Sequence, residues 1–154
     1  MAGRPEWGYN CDMKSKFIVT TLACASIAFY LSRIIWPDMA GVTPPSAALM
    51  PLFLILSVLE ALAFGAGVSF LLYGWPLLKA AFPQYKAIDR FAFLAIVWSL
   101  ISWWPHDNMH RVTTDGDYSR LLGIEYGFHA TLMVSGIVIA AFMWKVIRSA
   151  RQTM

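Results

Sequence analysis

The stretch AALMPLFLILSVLEALAFGAGVSFLLYGWPLL, residues 47–78, carries one acidic or basic side chain, Glu60, in an otherwise apolar run. A segment of about 20 apolar residues crosses a bilayer, so this one exceeds a single span and falls short of two spans with a turn between them. The reading is one long, tilted or kinked helix, with Pro51 and the Gly65/Gly67 pair as the sites for a kink. Three further runs flank it, at 16–36, 87–104 and 124–147. Pro37 ends the first and Pro105 the third, and the connectors PDMAGVTPPS, KAAFPQYKAIDR and HDNMHRVTTDGDYSR are polar or rich in turn formers.

Composition agrees with lipid as the solvent. The chain of 154 residues is 58% hydrophobic and 14% charged, with mean hydropathy +0.57, against about 25% charged in soluble domains. Trp36, Trp75, Trp103, Trp104 and Trp144 fall at span ends, where amphipathic rings settle at the interface, and Trp98 lies inside a span. The expected fold is therefore all-α and integral to the membrane: a bundle of four transmembrane helices forming a single domain over 1–154. The ACA triplet at Ala23–Ala25 mimics a signal-peptide cleavage site, but the apolar core before it is too short, and the first run is read as an uncleaved span.

Nine of the twelve lysines and arginines sit at the N-terminal tail (Arg4, Lys14, Lys16), the second connector (Lys79, Lys86, Arg90) and the C-terminal end (Lys145, Arg148, Arg151). Arg33, Arg111 and Arg120 are left for the other side. Positive residues stay inside, so both termini are expected in the cytoplasm of a cell (inner) membrane, and the connector after Pro105 outside. The small, dispersed net charge of +3 excludes a dense basic patch for nucleic acid. Cys11 and Cys24 form no paired spacing that would indicate a disulfide or a thiolate metal site.

All three histidines lie in that outer region. Pro105 suits a helix start, and a short outer-surface helix there puts His106 and His110 on one face; Glu125 and His129 share a face of the fourth span in the same way. Three imidazoles and a carboxylate make a ligand set suited to zinc, copper or non-haem iron, with a haem as another possible group. Asp107, Asp115 and Asp117 are placed to orient imidazole N–H groups, and Met109 offers a soft ligand. The plainer reading is a hydrogen-bonded polar cap, with Asp115-Gly116-Asp117 as turn chemistry.

Glu60 is costly at mid-span, by ~2.5–3.5 kcal/mol, and is expected to face the protein interior. Counting from Trp75 and Lys79 places it at the depth of His129, as ligand, outer partner or proton site, or as a protonated residue bonded to Ser57 or Tyr126. Small residues at every fourth position, Ala61, Gly65, Ser69 and Gly127, Thr131, Ser135, mark close helix contacts. The function expected is a membrane protein with an extracytoplasmic His/Glu metal centre, serving redox chemistry, metal handling or hydrolysis by metal-activated water. Two alternatives stand beside it: an accessory subunit of a larger energy-conversion complex, and an oligomeric ion or proton transporter using Glu60. Besides lipid, a second copy or other membrane subunits are the partners these readings imply.

Overall fold

Helices account for nearly all of the computed structural model, which describes residues 6–37, 45–81, 86–112 and 118–152. In chain order they are α1 (Glu6–Ile35), α2 (Met50–Ala81), α3 (Ala87–Ile101), α4 (Trp103–Arg111) and α5 (Tyr118–Gln152). Four segments are long and apolar enough to cross a membrane: Asp12–Ile35, Met50–Pro76, Ala87–Arg111 and Leu122–Arg148. Asp115, Asp117 and most of the first connector lie outside the described residues.

The third span is built from two helices for a reason visible in the sequence. Pro105 has no N–H to offer the carbonyl of Ile101 one turn earlier, and its ring crowds that carbonyl. Accordingly α3 stops at Ile101, and α4 begins at Trp103 rather than at Pro105, with Pro105 still inside its first turn. Ser102 between them keeps helical backbone angles and donates its N–H to Trp98 O, while His106 N–H reaches back to Ser102 O. With 15 residues, α3 alone reaches only ~22 Å. Together α3 and α4 make one segment long and apolar enough to cross, Ala87–Arg111, with the short helix as part of it.

Packing follows chain order: α1 on α2, α2 on α3, α3 on α5, with α4 bridging α2 and α5 at one end. Among the described residues α1 and α5 share no packed interface, so the four spans of the expected bundle are arranged as an open row. The central member, α2, owes its two neighbours to its glycines. A Cβ on Gly65 would stand 2.3 Å from Thr21 O on α1, and one on Gly67 would stand 2.6 Å from Ile101 Cγ1 on α3. These glycines serve close approach on two faces, and α2 runs as one helix through both. The Ala61, Gly65, Ser69 row does pack: Ala61 is buried against Ala25 and Ala28, and Thr21 Oγ1 donates to Ser69 Oγ at 2.9 Å. The second row packs only in part. Ser135 is buried and Thr131 accepts from Trp98 Nε1 at 3.1 Å, but nothing lies within 4 Å of where a Gly127 Cβ would be.

Candidate metal centre

The polar cluster lies where α4 meets the first turns of α5. Helical spacing puts Trp103, His106 and His110 on the face of α4 toward α5, while Trp104, Asn108 and Arg111 turn toward α1 and α2. On α5, Glu125, Phe128 and His129 occupy one face. The His106 ring is buried and stacks on Phe128, with centroids 3.7 Å apart and planes 14° from parallel; Trp103 meets the same Phe128 edge-on at 5.2 Å. This aromatic packing fixes where His106 Nε2 points.

From there the contacts run in a chain. His106 Nε2 and His110 Nε2 are 3.2 Å apart, His110 Nε2 lies 2.8 Å from Glu125 Oε1, and Glu125 Oε2 lies 2.9 Å from His129 Nδ1. Each imidazole nitrogen has one in-plane position, filled by a proton or a lone pair. On His110 Nε2 that single position must serve both His106 and Glu125. A cation between the three removes the conflict, because all three then direct lone pairs at it.

The donor set fits a metal ion. Ligand atoms of His106, His110 and Glu125 all lie within 4.8 Å of one another. Tetrahedral N and O ligands at about 2.0–2.2 Å from zinc stand about 3.3–3.5 Å apart. Two of the three separations already match or undercut that spacing, so small side-chain rotations gather the third. Two imidazoles and a carboxylate would supply three of the four ligands that such an ion takes. His129 engages the far oxygen of Glu125 and so orients that carboxylate.

All four sequence-selected residues are thus brought together, three around one point and His129 behind the carboxylate. Asp107 lies exposed on α4, and Met109 is 40% exposed beside it. Glu60 takes a different place. It lines a cavity of about 100 Å³ with Ser32, Arg33, Ser57, Trp104 and Arg111, a lining that does not include His129. Glu60 faces Arg111 of α4 across this cavity. The azimuth differs, because α4 stands between α2 and α5. Ser57 faces the same cavity but donates to Phe53 O at 2.9 Å.

Sequence reasoning passed over two buried polar residues. Asn108, 1% exposed, accepts from Ser32 Oγ and donates to Trp104 O at 2.6 Å, tying α4 to α1. Asp89, fully buried, pairs with Lys145 of α5 and accepts from Lys86 N at 2.8 Å. No family model matches this chain, and neither a curated protein nor a solved structure is found to be similar to it.

Proposed function

We propose that this is a multi-pass membrane protein carrying one transition-metal ion at its extracytoplasmic end, held by His106, His110 and Glu125. The observation that supports it is the pair of short contacts converging on His110 Nε2, 3.2 Å from His106 and 2.8 Å from Glu125. His129 steadies the carboxylate, and Phe128 and Trp103 hold His106 in place. Zinc, copper and iron all accept such ligands. Once bound, an ion with one open position supplies Lewis-acid or redox chemistry to a ligand arriving from the outer aqueous phase.

Metal analysis and an absorption spectrum of protein purified gently from its own membrane test this directly. About one zinc, copper or iron per chain is expected; a metal-free protein that stays metal-free after reconstitution with each ion overturns it. Orientation has its own test. In a background lacking Cys11 and Cys24, a cysteine at Thr114 is expected to react with a membrane-impermeant thiol reagent in intact cells, and one at Gln84 only after the membrane is opened. The reverse pattern puts the cluster on the cytoplasmic side.

A second reading, a subunit of a larger membrane assembly, draws support from the open row. The spans of α1 and α5 each bury only 11% of their most apolar window, leaving long faces for lipid or for other membrane helices. Stoichiometric co-purification of another membrane chain in mild detergent distinguishes this from a chain that works alone.

A further inference from the structure

The face of α4 turned away from the histidines closes a second site. Arg33 lies in the last turn of α1 and Arg111 ends α4. Their guanidinium carbons stand 5.7 and 6.0 Å from the centre of one ring, Phe53 of α2. Arg111 is held in place, since its Nη1 donates to Ser32 Oγ at 3.3 Å and Ser32 donates in turn to Asn108. Both arginines line the cavity that also contains Glu60, and its lip includes Phe29 and Leu54, which are exposed. Its volume of about 100 Å³ has room for several water-sized groups, each needing about 10–15 Å³ on this measure.

We propose that this cavity binds the phosphate of an anionic phospholipid, with Arg33 and Arg111 holding the phosphate oxygens and Phe29 and Leu54 bordering the first part of an acyl chain. Three features point to that ligand. Guanidinium forks match phosphate oxygens two at a time, and among the described residues Arg111 gives Ser32 one of the five N–H donors it carries. Trp36 and Trp104, which meet edge-on at 4.9 Å, mark this end of the spans as the interface level where lipid phosphates lie. The exposed apolar lip suits a chain-bearing ligand over a free ion. Glu60 sits nearly two turns deeper than Phe53 on α2, about 10 Å along the axis. Its charge works against the anion.

The test uses the full chain, delipidated in a neutral detergent. Native mass spectrometry and thermal unfolding are read with added phosphatidylglycerol, phosphatidylcholine or inorganic phosphate. Retention of one phosphatidylglycerol with a raised Tm is expected, and neither of the other two additions should reproduce it. The double variant R33Q/R111Q should weaken retention by about tenfold or more, since the charge-assisted donors to the phosphate are lost. Leu54→Trp crowds the lip while leaving both guanidiniums intact and should also reduce retention, which keeps the test decisive if the double variant does not fold. Glu60→Gln should bind at least as tightly as the native chain. Undiminished retention by R33Q/R111Q or by Leu54→Trp overturns the site, and equal protection by inorganic phosphate or phosphatidylcholine overturns its assignment to an anionic lipid.

Discussion

The two ends of the α3–α5 unit each hold a polar cluster, and they are built on opposite principles. At the end near Lys86, Asp89 is fully buried and every contact is matched: one carboxylate oxygen accepts from Lys145, the other from the Lys86 N–H. Each carboxylate oxygen thus has a donor, and the charge is paired. At the other end, His106, His110 and Glu125 crowd acceptors around a single nitrogen position and stay partly open, with the His110 and Glu125 side chains 32% and 34% exposed. A saturated, buried pair is a clamp between helices. A half-open group of two imidazoles and a carboxylate, with ligand atoms within 4.8 Å of one another, is by contrast the arrangement that the proposed metal ion would occupy.

Separating the two kinds of cluster by mutation gives the largest expected effect first. Lys145→Met strands the buried Asp89 carboxylate and should cost about 3–5 kcal/mol, the usual penalty for removing one partner of a buried pair. Unfolding in detergent micelles measures it, and metal content of the folded fraction should be unchanged. Loss of metal from that fraction would break the contrast, since the clamp would then be part of the site.

The mirror-image experiment is His110→Ala. Metal should fall to near zero at an ion concentration that saturates the native chain, while the stability of the metal-free protein shifts by no more than about 1 kcal/mol, as hydrogen bonds inside membrane proteins average ~0.6 kcal/mol. Equal metal content in the variant and native protein would return the cluster to a hydrogen-bonded cap. His129→Ala refines the division of labour. As the residue that orients Glu125, it should weaken metal affinity by about 10–100-fold without abolishing binding; complete loss would make it a fourth ligand.

The smallest effect lies midway between the ends. Thr131→Val removes the acceptor of Trp98 Nε1, one hydrogen bond between α3 and α5. A change of about 0.6 kcal/mol in unfolding free energy is expected, with both metal content and the Asp89–Lys145 pair unaffected. A change several times larger would mean that the two clusters communicate through this contact.

Much of this was legible from residue order. The four apolar runs, their limits to within several residues at most ends, and the pairing of His106 with His110 and Glu125 with His129 follow from local rules, because a helix places residues four apart on one face whatever surrounds it. The hydrogen-bonded chain through those four side chains completes what the spacing suggested. Asp89 was hidden for the opposite reason. Beside Arg90 and a connector it reads as a solvated charge, and its partner Lys145 is far along the chain. The small-residue rows were legible as contacts, but not which of them would be used: Gly65 is pressed against α1, whereas Gly127 faces open space.

What the sequence alone determined is everything measured along a helix axis. Depth follows from counting at 1.5 Å per residue, which is how Glu60 came to be expected at the level of His129, and solvent class follows from apolar content. What only the tertiary structure decided is position around the axes. It set α4 between α2 and α5, sent Glu60 to the arginines instead of His129, and left α1 and α5 apart in an open row. The physical reason is that periodicity names the face of a helix, while the neighbour on that face is chosen by non-local packing, where a glycine such as Gly65 permits an approach that any Cβ would block.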